Sequence, residues 1–294
     1  MKSILPLVED KQVLGLSDEG FHRLAYREWC KDPNLPTVVC VHGLTRLSHD
    51  FNILAGTLSE NYRVICPDMP GRGRSSWFKK MRNYNYIQYC ADINTLLARL
   101  NITEVHYVGT SLGGMIGMTL AAMPRSPIKS LTINDAGPEP KLLEMRRLGR
   151  YVGKAPTFAD KEEAQEYVEK IYGGFGDLSK EQWAYITDYS CRTVEDGFEM
   201  HYDPKIGEAF RASYSYYGYN LWSYWDQIEC PTLTLRGELS SFLDESTVKR
   251  MQARAKNNTL VEIPGAAHAP ALQSDDEIKI IKDFIDQEDA KLRV

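Results

Sequence analysis

Gly109-Thr110-Ser111-Leu112-Gly113 has the residue types and spacing for nucleophilic acyl chemistry. The pattern G-x-S-x-G has meaning where a strand turns sharply into a helix. Here a β-branched run precedes it and a small-residue segment follows. The turn lifts the serine Oγ clear of the backbone, and glycines at 109 and 113 remove Cβ atoms that would clash in it. The helix that follows points its N-terminus at the site, which favours developing negative charge. His42-Gly43-Leu44-Thr45 closes an earlier apolar run. In that position the N–H of Leu44 can join the N–H of Leu112 as an oxyanion hole. His42 itself reads as structural, bonded within its loop. The general base is expected at His268, in Gly265-Ala266-Ala267-His268, on a loop just after the last apolar run. His106 lies inside a strand and reads as core; His22, His49 and His201 have no supporting context.

These residues need a frame. Apolar runs at 37–42, 63–66, 104–108, 128–133, 231–235 and 259–263 are short, β-branched and bounded by Gly or Pro, so they read as buried strands. Between them lie helical patterns at 89–100, 112–123 and 278–285. Alternation of this kind predicts a mostly parallel α/β sheet. Residues 11–28 lack an intervening helix and read as two antiparallel edge strands. The alternation stops after Ile133 and resumes at Pro231. The stretch between shows helical pattern and no convincing strand, and a structureless loop of that length is improbable. A helical insertion is therefore expected. It holds Tyr214, Tyr216, Tyr217, Tyr219, Trp222, Tyr224 and Trp225, read either as helix packing or as the lining of a pocket beneath a lid.

Val41-His-Gly-Leu44, the Asp68-Met-Pro-Gly71-Arg-Gly73-Arg-Ser75 loop, Gly109 to Gly114 and Gly265 to His268 together resemble the α/β-hydrolase fold superfamily over nearly the whole chain. The loop at Gly71 lacks the Lys of a P-loop and the third Gly of a dinucleotide fingerprint, so it carries no phosphate-binding reading. The resemblance implies an eight-stranded sheet flanked by helices, with a helical cap inserted after strand six. The expected division is 1–136 and 226–294 for the core and 137–225 for the cap. It also implies the order of Ser before His along the chain.

A Ser–His pair needs a third group to hold the imidazole tautomer. Relatives place an Asp after strand seven, in a pattern like R-G-x-x-S-D. Here Leu235-Arg-Gly-Glu-Leu-Ser-Ser241 puts Ser241 at that position. Three carboxylates are candidates. Asp135, at the end of strand six, is the first choice; Asp244 needs a loop shift; Glu238 lies near the strand end. A site with no acid is the remaining reading.

The expected activity is hydrolysis of a small ester or related acyl compound by Ser111, His268 and Asp135, with no metal or organic cofactor required. Relatives that are dehalogenases or epoxide hydrolases use Asp as nucleophile, so Ser111 argues against both. Two rival readings stand beside this one. One is C–C bond hydrolysis or cofactor-free perhydrolysis on the same scaffold. The other is a ligand-binding protein with a weakened triad. The 294 residues carry 35 Lys+Arg against 40 Asp+Glu, which argues against a general nucleic-acid partner. No apolar run is long enough for a membrane span. The start, Met1 to Asp10, does not read as a secretory signal. Six cysteines form no C-x-x-C pair. The chain is expected to be cytoplasmic, acting on a small molecule; its oligomeric state is not readable.

Overall fold

The computed structural model describes residues 8–216 and 219–293. Most of the Met1–Asp10 segment, residues 1–7, lies outside them. The strands in chain order are β1 (Val8–Ser17), β2 (Gly20–Trp29), β3 (Thr37–Val41), β4 (Arg63–Pro67), β5 (Val105–Thr110), β6 (Ile128–Asn134), β7 (Thr157–Phe158), β8 (Cys191–Val194), β9 (Gly197–Met200), β10 (Thr232–Gly237) and β11 (Asn258–Ile263). The helices are α1 (Asn52–Leu58), α2 (Tyr86–Arg99), α3 (Leu112–Ala121), α4 (Leu142–Leu148), α5 (Lys161–Tyr172), α6 (Lys180–Ser190), α7 (Lys205–Tyr216), α8 (Trp222–Trp225), α9 (Glu245–Arg254) and α10 (Asp275–Leu292).

One eight-stranded sheet runs in the order β1-β2-β4-β3-β5-β6-β10-β11. β2 pairs antiparallel with both β1 and β4, and the remaining pairings are parallel. Only β2 therefore runs against the rest. Residues 11–28 do form two antiparallel strands, with β1 at the edge and β2 inside it. β3 and β10 are buried along their whole length, as strands covered on both faces must be. Their side chains divide by pleat. Val39 and Val41 join the core beneath α2 and α3, while Val38 and Cys40 join the core beneath α1 and α10. Cys40 and Cys66 are buried free thiols packed as small hydrophobes.

The helices begin where their caps dictate. The side chain of Asn85 accepts the N–H of Gln88 at the head of α2, whose buried face carries Tyr89, Ile93, Leu96 and Leu97. Ser274 and Glu277 form a reciprocal capping box at the head of α10, whose face of Ile278, Ile281 and Ile285 is buried. This helix extends beyond the 278–285 core that the periodicity marks.

Between β6 and β10 lie α4 to α8, as the loss of alternation implied. The segment also contains strands that the sequence reading did not find. β7, β9 and β8 form a three-stranded antiparallel sheet. These strands are two to four residues long and partly exposed, so they carry no apolar run to betray them.

Candidate active site

Ser111 sits between the last residue of β5 and the first of α3, with φ of 51° and ψ of −112°. Positive φ is strained for a residue with a Cβ and survives only where the surroundings impose it. Its N–H donates to the carbonyl of Asn134 at 2.9 Å, and its carbonyl accepts the N–H of Met115 at 3.0 Å. The turn closes because two glycines stand inside it. A Cβ on Gly113 would lie 2.0 Å from the carbonyl oxygen of Val41, and one on Gly109 would lie 2.4 Å from the carbonyl carbon of Gly113.

The structure brings Ser111, His268 and Asp135 into one hydrogen-bonded chain. Ser111 Oγ lies 2.9 Å from His268 Nε2, and His268 Nδ1 lies 2.7 Å from Asp135 Oδ2. Asp135 is fully buried, also at positive φ, 51°. Its Oδ1 accepts the N–H of Gly237 at 2.9 Å and its Oδ2 accepts the hydroxyl of Ser240 at 2.6 Å. These donors fix the direction of the carboxylate. The His268 ring stacks on Phe242 at 4.0 Å between centroids, and Asn134 Nδ2 donates to the carbonyl of Pro270, tying the histidine loop to the end of β6.

The other acid candidates are elsewhere. The side chain of Asp244 caps α9 by accepting the N–H of Thr247, and it pairs with Lys141 Nζ at 2.6 Å. Burial raises its carboxyl, but the bonds from Lys141, Ser246 and Thr247 outweigh that and hold it well below the usual range. Glu238 is exposed and accepts the N–H of Gly265. Ser241 is exposed; its neighbour Ser240 is the residue bonded to Asp135. The carboxylate can come from the end of β6 because β6 and β10 are paired neighbours, so the loops that leave them converge. The N–H of Asp135 itself donates to the carbonyl of Leu235 on β10.

Leu44 and Leu112 both border the cleft at Ser111. Leu112 opens α3, so its N–H has no partner within the helix. Arg72, fully buried, donates from Nε to the carbonyl of Leu44 at 2.8 Å and steadies that loop. His42 is structural, as expected. It accepts the N–H of Met69 on Nε2 and donates from Nδ1 to the carbonyl of Gly43. Burial, with the Arg72 charge nearby, holds it down at about 4. His106 is buried against Ser130, and burial lowers it as well.

The cleft has two arms that meet at Ser111. The first contains His268, Thr45, Arg46, Asp50, Tyr172 and Gln273; the second is more apolar, with Tyr86, Met115, Met145, Phe210, Tyr219 and Phe242. The expected aromatic lining is thus only partly where it was sought. Tyr219 reaches the second arm. Trp222 and Trp225 instead pack on α9: Trp222 lies under Arg250 and Arg254, and the indole N–H of Trp225 donates to the carbonyl of Met251. Tyr224 packs against the core. Tyr217, and the side chains of Tyr214 and Tyr216, lie outside the described residues. Arg46, Asp50, Ser240, Phe242 and Gln273 were missed in the sequence, where no local signal separates them from ordinary loop residues.

The α/β-hydrolase fold family model matches residues 36–275. A 3-hydroxybutyrate-oligomer hydrolase of Cupriavidus necator is 40% identical over 277 residues, covering 92% of this chain and 94% of its own. An α/β hydrolase from Novosphingobium aromaticivorans superposes with a TM-score of 0.86 at 33% identity, covering 95% of this chain and 98% of its own. E-2-(acetamidomethylene)succinate hydrolase shares the fold, with a TM-score of 0.79 at 22% identity over 95% of this chain and 99% of its own.

Proposed function

The chain belongs to the α/β-hydrolase fold family, and from that membership we propose that it is a serine hydrolase that cleaves small esters, with oligoesters of a hydroxy acid as its substrate class. The observation that carries this reading is the continuous Ser111–His268–Asp135 hydrogen-bond chain. The kinship with an oligomer hydrolase supports the substrate class.

In this reading Ser111 Oγ attacks the ester carbonyl while His268 Nε2 takes its proton. The carbonyl oxygen becomes an oxyanion held by the N–H groups of Leu44 and Leu112. The carbon–oxygen bond to the alcohol then breaks, and His268 returns the proton to the leaving oxygen. Water, deprotonated by His268, attacks the acyl-serine; the acid leaves and Ser111 regains its proton. Asp135 keeps the Nδ1 proton on His268 throughout and stabilises the imidazolium. The 137–225 segment serves as the cap over this site: Met145 and Leu148 from α4 face the cleft, and Tyr172 from α5 borders it.

His268 must reach the leaving oxygen, so the alcohol departs on the side of the first arm, which His268 lines. The acyl group then occupies the second arm. Met145→Ala enlarges that arm and is expected to shift the acyl preference of kcat/KM toward longer chains by about tenfold, the worth of one or two buried methylenes. Trp222→Ala, on α8 where the indole packs against α9, is expected to lower stability and leave the profile unchanged. A panel of p-nitrophenyl esters of increasing acyl length separates the two.

A fluorophosphonate tests the nucleophile. It is expected to add one adduct, located at Ser111 by peptide mapping and absent in Ser111→Ala. Folded protein that takes no adduct would overturn the reading. The weakened-triad alternative rests on Ser241; the Asp135–His268 hydrogen bond supports the serine-hydrolase reading against it.

A further inference from the structure

Arg46 is an arginine buried in the active-site cleft and not used by the hydrolytic mechanism. Its position is close to the chemistry. The Cβ that Gly43 lacks would lie 3.6 Å from Arg46 Cγ and 3.7 Å from Ser111 Cβ, so the two side chains leave from either side of one point. The guanidinium is held in an aromatic cage, 4.4 Å from the Tyr172 centroid and within cation–π reach of Phe175 and Tyr189. Burial works against its charge, but Asp50 and the surrounding tyrosines more than offset that and keep it cationic.

A guanidinium has five N–H donors. Asp50 accepts from Nε and from one N–H of Nη2, at 2.6 Å, and Ser190 Oγ accepts from one N–H of Nη1, at 2.8 Å. The Tyr172 hydroxyl takes a further N–H, which leaves one for an incoming ligand oxygen. A charged N–H of this kind bonds one oxygen of a carboxylate strongly. A second observation points to the same place. Gln273 lines the same arm, is 8% exposed, and its amide oxygen is buried without a partner. A buried amide end left unpaired in a native protein calls for a ligand group; the terminal amide presents either its oxygen or its NH2 to that group.

We propose that Arg46, with Gln273, forms a carboxylate subsite in the first arm, so that the preferred substrate is an ester whose leaving alcohol is itself a hydroxy acid with a free carboxylate. This rests on the serine-hydrolase reading above and on its assignment of the leaving group to the arm with His268. In such a substrate the leaving oxygen meets His268 while the carboxylate, a few bonds away, meets the guanidinium. Asp50 opposes a second anion but engages only the Nε side of the arginine, where it fixes the plane of the fork. An oligoester chain then enters with its acid end toward Arg46 and is shortened from that end, one hydroxy acid at a time.

The test compares cleavage of the internal ester in the dimer of 3-hydroxybutyric acid with the same cleavage in its methyl ester. A charge-assisted bond to buried arginine predicts a preference for the free acid of about ten- to a hundredfold in kcat/KM, carried by KM. Arg46→Gln is expected to bring the ratio near one whatever loss both substrates share, and Gln273→Leu to reduce it less. Arg46→Lys keeps the charge without the planar fork and retains part of the preference. In the unaltered protein, 3-hydroxybutyrate anion is expected to compete better than 3-hydroxybutyramide, a readout that does not depend on the variants folding. Equal or better turnover of the methyl ester, or a preference that survives in Arg46→Gln, overturns the subsite while labelling of Ser111 by fluorophosphonate still upholds the hydrolase. Loss of that labelling together with inactivity on both esters overturns the hydrolase reading and the subsite with it.

Discussion

Ser111→Ala is expected to lower kcat on an activated ester by on the order of 10⁵–10⁶, with any residual rate coming from the oxyanion donors and binding alone. The size of the loss follows from the geometry. Ser111 Oγ is the atom within hydrogen-bond reach of His268 Nε2, and the strained turn that presents it is fixed by glycines whose missing Cβ atoms would strike Val41 and Gly113. Alanine keeps the Cβ and the positive φ, so the turn should persist and the urea midpoint should move little. Because nucleophile and base act as one unit, the double variant Ser111→Ala/His268→Ala is expected to lose no more than the worse single variant. Stopped-flow measurement of the acylation burst and steady-state kcat together give the comparison. A loss below tenfold in Ser111→Ala would place the nucleophile elsewhere, and additive losses would mean that His268 does not act on Ser111.

The strands and the Ser–His pair were legible because each leaves a local mark. Completely buried parallel strands are short apolar runs, and the turn at Ser111 demands glycine where Gly109 and Gly113 stand. The edge of each helix was less legible: α10 runs to Leu292, and its buried positions beyond Ile285 are the charged Glu288 and Asp289, so no apolar stripe marks that end. The strands β7, β8 and β9 left no mark, since they are partly exposed and pair with one another rather than with the main sheet. The two arms of the cleft were illegible for a different reason. Arg46 comes from the loop after β3, Tyr172 from α5, Gln273 from the segment before α10 and Met145 from α4, and nothing short of the folded chain puts them side by side. The aromatic residues from Tyr219 to Trp225 divide between pocket and packing for the converse reason. Composition marks a cluster, but the helical phase of α8 turns Trp222 and Trp225 toward α9 and away from Ser111.

Asp135→Asn is expected to lower kcat by about 10⁴. The donors around the carboxylate explain why an amide cannot replace it. Gly237 N–H points at Oδ1, and a backbone donor cannot turn into an acceptor. An asparagine therefore places its carbonyl oxygen there and its NH2 toward Ser240 and His268. That NH2 donates to His268 Nδ1 and drives the ring proton to Nε2. The nitrogen facing Ser111 then carries a proton and cannot accept another. Ser240→Ala removes one neutral donor from the same carboxylate and leaves the tautomer intact, so its cost is only about 0.5–1.5 kcal/mol, at most about tenfold in rate. Ser241→Asp supplies the acid that the sequence resemblance implies at that position. Ser241 is exposed and Asp135 already holds His268, so the change is expected to raise activity little. If the new carboxylate does turn inward, repulsion from Asp135 raises one of the two pKa values and lowers the rate at neutral pH. Steady-state kinetics on one ester across pH separate the cases, since the amide variant loses rate at every pH while a like-charge pair recovers it as pH rises. A large gain from Ser241→Asp with no loss from Asp135→Asn would refute the assignment of Asp135 and return the site to one that lacks its acid.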